Sequence, residues 1–417
     1  MFERASSTLA SDLSKDFPTT EIKIAPIFGK KEIIDLFQVI SSDSKEISQL
    51  HFIGHSGLYG PMYGTTKYPE QFSPYEIKHL DIPFSANAKA YFSCCRSARW
   101  FAPYFSRIQN VDTYGYHNYT TFTQSNIRFK RVTTDTQSVY AIGCEGKKSH
   151  GLLGSIKKYT GITPLEKMIC FEASSSVIDT TYDEVAELYD AVFQDIKVRK
   201  DEWNWLLRHL PKDIEQKTIV DIGCGNGALL KELSPQVLKG IGLDLSDKIL
   251  KRAELLNKDN KNITFNKLDG PLLPLEDHSV DIFISLLSFR YLDWDPLMDE
   301  LKRVLKPGGQ VLIIDMVAVP VKLKDSPRFL FNKIKQFFGK QRNKEFKQSL
   351  NRLVSHPDWS KMLKFNPIRA EHEMKWYLES RFPGQKIEKI NIGYHSSILA
   401  FDSGPISNIA DINLSYP

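Results

Sequence analysis

The most constraining feature of this chain is the stretch 218–230, which joins an apolar run to a helix through three glycines. The apolar run ends in Asp221, and the turn follows at Gly223, Gly225 and Gly227. Glycine is needed where the backbone bends tightly and lets a ligand approach without a side chain in between. This order of strand, glycine turn and helix is typical of the first βα unit of a doubly wound sheet.

The same glycines also fit the dinucleotide fingerprint, aligned as Gly223-x-Gly225-x-x-Ala228. Asp221 separates the two interpretations, because it stands two residues before the first glycine. A carboxylate at this place repels the pyrophosphate of a dinucleotide, whereas it attracts a cofactor with a cationic amino-acid end. The sequence therefore favours a cofactor that carries an ammonium group, and an NAD(P) oxidoreductase is the less favoured alternative.

Apolar runs downstream of the turn continue the pattern of an α/β sheet. The predicted elements are strands at Lys239–Asp244, Asn262–Gly270, Val280–Ser285 and Gln310–Asp315, and an amphipathic helix at Pro296–Val304. Asp244 ends the first of these strands 23 residues after Asp221, about where a Rossmann-like fold holds a ribose diol with a carboxylate. We therefore predict a nucleoside-binding site at the carboxyl ends of the strands.

Over residues 182–403, these motifs resemble those of the class I S-adenosylmethionine (SAM) methyltransferases. The resemblance implies a Rossmann-like seven-stranded sheet and SAM as the cofactor. The roles it implies are methionine binding by Asp221 and the backbone of Gly223, Gly225 and Gly227, ribose binding by Asp244 with Leu245, adenine binding by Asp269 with Gly270, a floor formed by Ser285 and Leu286, and closure over the cofactor by Tyr182 and Tyr189. The alternative for the two tyrosines is an ordinary amphipathic helix that buries them in the core.

Length and composition predict a globular protein of two or three domains, because 417 residues exceed the usual size of one. The net charge of +5 at pH 7 argues neither for nor against nucleic acid. Five cysteines lack the paired spacings of a zinc site or a disulfide framework, so we predict reduced thiols, no metal and a cytoplasmic location. We expect no signal peptide, because the first residues contain an acid and no apolar core, and no apolar run of the sequence is as long as a membrane span.

Changes in pattern along the chain predict its organisation. Residues 1–145 form a separate α/β domain, residues 146–180 a linker, and residues 181–417 the methyltransferase domain with a lid insertion at 320–383. In the amino-terminal domain, the predicted strands are Glu21–Ile27, Gln49–Gly54, Ala88–Ser93 and Asp112–His117.

Two side chains follow neighbouring strands of this first domain. His55 comes after the run 49–54, and Cys95 comes after the run 88–93. Groups at the carboxyl ends of adjacent parallel strands meet in one crevice, so the imidazole and the thiol are candidates for base and nucleophile. The pattern resembles the caspase-like (clan CD) cysteine peptidases. The alternative is a catalytically silent module in which Cys95 is a small core residue.

The methyl acceptor is less constrained. Amine methyltransferases of nucleic-acid bases commonly carry an Asn/Asp-Pro-Pro-aromatic sequence after the fourth strand, and this chain has Arg290-Tyr291 in that region instead. The resemblance therefore implies a small-molecule or lipid-like acceptor and no nucleic acid, and it identifies no general base. Two further alternatives stay open: a cysteine hydrolase regulated by a SAM-binding domain, and a binding module without catalytic activity.

The insertion after the fifth strand is strongly basic. Residues 321–350 carry nine lysines and arginines against two acids, with phenylalanines at helical spacing between them. A basic amphipathic helix suits an anionic membrane surface, an anionic substrate or an acidic carrier protein. The alternative is a solvated basic face whose apolar stripe packs on the domain.

Overall fold

The computed structural model describes residues 1–57, 60–64, 69–145, 152–173, 185–318, 344–359, 368–392, 396–407 and 412. The chain divides into two compact units, Met1–Val177 and Ile178–Pro417. Each unit has its own sheets and its own apolar core, so the two are described separately.

The first unit contains five helices and ten strands among the described residues. The helices are α1 (Phe2–Asp16), α2 (Lys30–Ser42), α3 (Pro74–His79), α4 (Phe101–Gln109) and α5 (Leu152–Tyr159). The strands are β1 (Ile47–Ile53), β2 (His55–Gly57), β3 (Gly60–Gly64), β4 (Pro69–Glu70), β5 (Phe84–Ser93), β6 (Asp112–Gly115), β7 (Tyr119–Thr123), β8 (Tyr140–Cys144), β9 (Leu165–Glu166) and β10 (Ile169–Phe171).

The main sheet of the first unit has the order β1-β5-β6-β10. The first three strands are parallel and β10 is antiparallel. Alternate residues of β5, such as Ala90 and Phe92, enter a core shared with Phe37 of α2 and Phe101 of α4. The alternation follows from the two-residue period of a strand, and it leaves the opposite row of β5 residues facing away from this core.

One predicted strand of the first unit is wrong. Glu21–Ile27 alternates like a strand, yet these residues adopt no regular secondary structure. Pro26 lacks the backbone N–H that a ladder requires, and a proline inside an apolar run argues against a central strand. The other three predicted strands are confirmed as β1, β5 and β6, with ends shifted by a few residues.

The second unit contains seven helices, four short 3₁₀ turns and seven strands among the described residues. The helices are α6 (Ala186–Phe193), α7 (Lys200–His209), α8 (Ala228–Leu233), α9 (Asp247–Leu256), α10 (Trp294–Val304), α11 (Lys344–Val354) and α12 (Glu371–Arg381). The strands are β11 (Thr218–Ile222), β12 (Lys239–Asp244), β13 (Ile263–Lys267), β14 (Val280–Leu286), β15 (Leu305–Ala318), β16 (Glu388–Ile392) and β17 (Ser396–Asp402).

These seven strands form one sheet in the order β13-β12-β11-β14-β15-β17-β16. The first five are parallel, and β17 runs antiparallel to both of its neighbours. The central strand β11 is buried along its whole length. Its residues alternate between two apolar cores, with Val220 and Ile222 in one and Ile219 in the other, so helices cover both faces of the sheet.

From β11 the chain continues to β12 on one side of the sheet, and from β14 it continues to β15 on the other side. The order of the parallel strands therefore reverses between β11 and β14. Such a point opens a crevice at the carboxyl ends of the strands, where α/β proteins bind their ligands. The glycine turn after β11 lies at this point. Most of the basic insertion and Tyr182 lie outside the described residues. Within the described residues, no helix is long and apolar enough to cross a bilayer.

Candidate functional site

The glycine turn takes a backbone path that favours glycine at three positions. Gly223, Gly225 and Gly227 have φ angles of 68°, 54° and 74°, in the left-handed region that costs other residues energy. At Gly223 there is also no room for a side chain, because an added Cβ would lie 2.3 Å from Cβ of Ser288. The turn is therefore a backbone surface held close to the segment that follows β14.

Asp221 lies in β11, two residues before the turn, and is 2% exposed. Its Oδ1 has no hydrogen-bond partner among the described residues. Burial raises the pKa of the Asp221 carboxyl well above its usual range, and the carboxylate of Asp244 adds to the shift. A buried carboxylate oxygen without a partner is costly, and the ammonium of a bound amino acid would satisfy it. Asp221 is therefore suited to a cationic group, and its predicted contact with the methionine end of SAM stays a prediction.

Asp244 ends β12 and turns back towards the glycine turn. Its Oδ2 accepts a hydrogen bond from the Gly225 amide at 3.0 Å, and its Oδ1 accepts one from the Ser246 amide at 3.0 Å. The carboxylate thus joins the turn to the start of α9. The next residue, Leu245, is 58% exposed. The carboxylate of Asp244 thus lies against the glycine turn. Ribose binding by Asp244 and Leu245 stays a prediction.

The predicted adenine residues lie at the same edge of the sheet. The Leu268 amide donates to the Asp244 carbonyl oxygen at 2.8 Å, which brings the segment after β13 next to the end of β12. Asp269 and Gly270 follow and are exposed, and Gly270 has a φ of 85°. The exposure leaves the Asp269 carboxylate accessible to a ligand, and its predicted contact with adenine stays a prediction.

Tyr189 covers the turn from α6. Its Cε1 lies 3.2 Å from the position of a Cβ on Gly225, and burial raises the pKa of its phenol. Asn226 fastens this helix to the turn, because its Nδ2 donates to Oδ1 of Asp190 at 3.0 Å and to the carbonyl oxygen of Phe193 at 3.2 Å. Asn226 was not singled out from the sequence, although it stands inside the glycine motif.

The predicted floor residues, Ser285 and Leu286, differ in burial, and their role stays a prediction. Ser285 is fully buried, and its hydroxyl lies 2.7 Å from the hydroxyl of Ser288. Ser288 in turn donates to the carbonyl oxygen of Ile222 at 2.6 Å, just before the glycine turn. Leu286 is partly exposed and packs against the core around β11. Ser288 is thus the residue of this segment that touches the turn, and the sequence prediction missed it.

A buried ion pair lies after β14. Asp315 of β15 is fully buried and pairs with the guanidinium of Arg290, which is 11% exposed. The Arg290 amide donates to Oδ2 of Asp315 at 2.5 Å, and its Nη2 donates to the hydroxyl of Tyr291 at 2.8 Å. The sequence identified Arg290 and Tyr291 only by position and gave Asp315 no role.

The candidate pair of the first unit occupies adjacent strand ends. Ile53 of β1 and Ser93 of β5 are directly paired, and His55 and Cys95 each follow two residues later. His55 is exposed, and the centre of its ring lies 5.0 Å from the centre of the Phe2 ring. Within the part of the chain that the structure describes, no hydrogen bond joins His55 to Cys95.

The Cys95 thiol instead contacts β7. The Thr120 amide donates to its Sγ at 3.4 Å, and the Thr120 hydroxyl lies 3.3 Å away. The Ser56 hydroxyl donates to the Cys95 carbonyl oxygen, which ties the two strand ends together. The strand ends therefore meet, whereas the imidazole and the thiol each have other neighbours.

No group of three or more histidine, cysteine, aspartate or glutamate side chains is placed to hold a metal ion within the described ranges. The candidate functional groups are therefore the glycine turn with Asp221 and Asp244, the Arg290–Asp315 pair, and Cys95.

Comparison with known proteins points to the second unit. A family model described as "Methyltransferase domain" matches residues 220–313. The tRNA(Thr) (cytosine(32)-N(3))-methyltransferase of Saccharomyces cerevisiae is 34% identical over 30% of this chain and 22% of its own length. Phosphoethanolamine N-methyltransferase 1 of Triticum aestivum is 38% identical over 23% of this chain and 21% of its own length.

The demethylmenaquinone methyltransferase of Lactococcus lactis is 28% identical over 41% of this chain and 71% of its own length. A solved SAM-dependent methyltransferase from Aquifex aeolicus is 19% identical, with a TM-score of 0.34, over 54% of this chain and 99% of that chain. This chain thus spans about a fifth of the first two relatives. The match to the methyltransferase model thus covers the glycine turn together with Asp221, Asp244 and Asp269.

Proposed function

We propose that the second unit transfers a methyl group from SAM to a small-molecule or lipid-like acceptor. The observation that carries the proposal is the buried Asp221 carboxylate, whose Oδ1 has no partner among the described residues and lies beside the glycine turn. Bound SAM supplies an activated methyl group on a sulfonium centre. The protein then has to bind, orient and exclude water, because positioning two reactants in line lowers the barrier without further chemistry.

Each residue of the site has a proposed task. Asp221 pairs with the ammonium of the cofactor, and the turn from Gly223 to Gly227 lets the cofactor approach the backbone. Asp244 and Asp269 bind the ribose and the adenine. Support for these tasks is that Asp221, Asp244 and Asp269 lie at or just after the carboxyl ends of adjacent strands of one sheet. Tyr189 closes the site from α6, where it already lies against Gly225.

The proposed acceptor class draws on the relatives. The names of three matched proteins state demethylmenaquinone, sterol and malonyl-[acyl-carrier protein] as what they methylate. Others act on tRNA and phosphoethanolamine. We favour a small or lipid-like acceptor because the base-recognition sequence is missing after β14, where Ser288, Arg290 and Tyr291 stand instead.

Calorimetry and mass spectrometry test the proposal. SAM should bind and NADH should not, because the Asp221 carboxylate repels a pyrophosphate. Incubation with SAM and a cell extract should then yield S-adenosylhomocysteine and a metabolite heavier by one methyl group. Asp221→Asn is the variant that should weaken both signals. Binding of NADH in preference to SAM would contradict the assignment.

A second proposal concerns the insertion at 320–383, half of which (320–343 and 360–367) lies outside the described residues. We propose that it is a lid that brings the domain to an anionic surface or an acidic carrier protein. Each lysine near an anionic bilayer contributes about 1 kcal/mol, so Lys333→Glu with Lys335→Glu should release the protein from phosphatidylserine-containing vesicles.

The matched control for this charge reversal is Lys248→Glu with Lys251→Glu, on the exposed side of α9. It makes the same change in net charge and should leave vesicle binding nearly intact, while SAM affinity should be unchanged in both variants. Equal loss of binding in both double variants would mean that net charge alone governs the association.

For the first unit we propose an accessory, caspase-like α/β domain located in the cytoplasm with the rest of the chain. The predicted border at residue 145 and linker at 146–180 differ from the structure, in which β9 pairs with β8, β10 pairs with β6, and the first unit extends to Val177. A hydrolytic role for Cys95 and His55 is the second candidate, favoured by one observation: both follow the directly paired residues Ile53 and Ser93.

A further inference from the structure

We infer that the free edge of β1 in the first unit binds an extended peptide of a partner protein, one whose apolar side chains are flanked by basic residues. The peptide adds a strand to the sheet β1-β5-β6-β10, because an edge strand presents a row of backbone N–H and C=O groups to a further strand. The inference concerns the first unit alone, so it does not depend on methyl transfer by the second.

A cavity of about 1570 Å³ runs along this edge. Every residue from 45 to 55 lines it, although successive residues of a strand point to opposite faces of the sheet. A cavity lined by both sets of residues borders the edge of the strand rather than one face. The pairing agrees, because β1 is the first strand in the order of its sheet and has β5 as its partner.

Residues 20–28 also line the cavity, but they do not pair with β1. The two ends of this segment are fixed elsewhere. Lys45 donates from Nζ to Oε2 of Glu21 at 2.9 Å, and the Gly64 amide donates to the carbonyl oxygen of Phe28 at 2.6 Å. Within the described parts of the chain, no backbone hydrogen bond joins residues 20–28 to β1. The outer edge of β1 is thus open to a ligand that can form a ladder.

The walls of the cavity are largely apolar. They include Leu9, Leu13 and Phe17 of α1 and Leu36, Val39 and Ile40 of α2. Five apolar side chains of the lining are at least 44% exposed, namely Met1, Phe17, Ile24, Phe28 and Val39. Exposed apolar side chains that are gathered at one cavity mark a binding site. The ligand therefore offers apolar side chains as well as a backbone.

Charges select the ends of the peptide. Near the amino end of β1, the lining carries the carboxylates of Glu21, Asp43 and Glu46 against the ammonium groups of Lys23 and Lys45. Glu21 pairs with Lys45, and Lys23 also attracts that carboxylate. The excess negative charge therefore lies on Asp43 and Glu46. A basic residue of the peptide complements this end, whereas an acidic residue is repelled.

The probe is the peptide Lys-Val-Ile-Val-Ile-Lys with a neutral fluorophore, which places a lysine at the amino end of β1 whichever way it runs. Fluorescence anisotropy measures its binding to the full chain. A control peptide has the same side chains but carries methyl groups on its backbone nitrogens, which removes the N–H donors that a ladder requires. We expect the control to bind at least about tenfold more weakly, because several backbone hydrogen bonds are lost.

Val39→Asp tests the apolar wall. The variant should bind the probe about tenfold more weakly, because an apolar contact is replaced by a hydrated charge. Its matched control is Ile127→Asp, since Ile127 is 81% exposed and does not line the cavity. Both side chains are exposed, so both variants should fold, and the control should bind the probe as wild type does.

A charge exchange tests the end of the groove. Wild-type protein should prefer the lysine peptide to its counterpart with glutamate at both ends, by about two- to fivefold for exposed charges. Asp43→Lys with Glu46→Lys should reverse this preference.

Three results would overturn the inference. Equal affinity for the N-methylated peptide would mean that the cavity takes apolar molecules without adding a strand. Binding that is unchanged in Val39→Asp, or a charge preference that the double variant does not reverse, would place the peptide elsewhere. A wild-type chain that ignores the probe, or that dimerises through this edge and so excludes it, would leave no role for a partner's peptide.

Discussion

The two units place their candidate residues at the ends of adjacent parallel strands, but the contacts made there differ. In both, the candidates follow adjacent parallel strands, β11 and β12 in the second unit and β1 and β5 in the first. In the second unit, the glycine turn meets Asp244 through a bond from the Gly225 amide. In the first unit, the strand ends meet through Ser56, while the Cys95 thiol contacts Thr120.

The difference shows what a backbone-built site needs. The glycine turn is shaped by φ angles and by close packing on Ser288, so it forms once the strand and the helix form. A catalytic pair of side chains needs a second condition, because both rotamers must also point at each other. Sheet topology brings the strand ends together in both units. It does not set the rotamers of a side-chain pair such as His55 and Cys95.

The largest effect is expected from filling the backbone-built site. Gly223→Ala adds a Cβ that would lie 2.3 Å from Cβ of Ser288, at a φ of 68°. Left-handed strain costs about 1–2 kcal/mol, and overpacking costs a further ~1–3 kcal/mol. Urea unfolding should therefore show a loss of several kcal/mol in the free energy of unfolding.

Gly308→Ala is the matched control for that variant. Gly308 has a φ of 82°, but an added Cβ would meet nothing within 4 Å. It should show only the strain, about 1–2 kcal/mol. Equal losses in the two variants would mean that contact with Ser288 does not shape the turn.

Two smaller effects are expected from substituting Asp221: weaker binding of SAM and a more stable fold in its absence. Asp221→Asn keeps the shape of the side chain and removes the charge, so SAM affinity should fall by about one to two orders of magnitude, the loss expected for a charged hydrogen bond. Without cofactor, the same variant should be more stable than wild type at neutral pH. Calorimetry with SAM and thermal unfolding without it measure the two effects, and a variant that loses stability as well would argue for a structural role.

The pH dependence follows from the raised pKa. The folded protein favours the protonated Asp221 carboxyl, so this stabilisation is fully present below the unfolded value of 3.8 and is lost as the pH rises through the folded-state pKa. The stability advantage of Asp221→Asn should therefore appear only as the pH rises. An advantage that is equal at all pH values would exclude this origin.

The smallest effect is expected in the first unit. Burial raises the pKa of Cys94 to about 12, and it also raises the pKa of Cys144 and of Cys224, so the informative comparison is Cys95 with exposed Cys170. We expect iodoacetamide at about pH 6.5 to label Cys95 no faster than Cys170, because no hydrogen bond joins the Cys95 thiol to His55 among the described residues and Cys95 is less exposed than Cys170. Faster labelling of Cys95 that disappears in His55→Ala would support the hydrolase alternative.

Much of the second unit could be predicted because its signals are local. The turn, the acids at Asp221 and Asp244, and the parallel strands are written in consecutive residues. The pairing of Arg290 with Asp315 could not, since it depends on the register that sets Leu286 beside Ile314. In the first unit, the alternation of Glu21–Ile27 favoured a strand, but a ladder also requires a neighbour and backbone N–H groups, and Pro26 lacks one.

The bonds from Asn226 to α6 have a consequence for how the site opens. The amide of Asn226 ties the glycine turn to Asp190 and Phe193, at the two ends of the last turn of the helix that carries Tyr189. Release of α6 and disturbance of the turn are therefore one event. A bound cofactor should therefore slow the exchange of the amide hydrogens of α6 by some factor. By thermodynamic reciprocity, anchoring of α6 raises the affinity for the cofactor by the same factor.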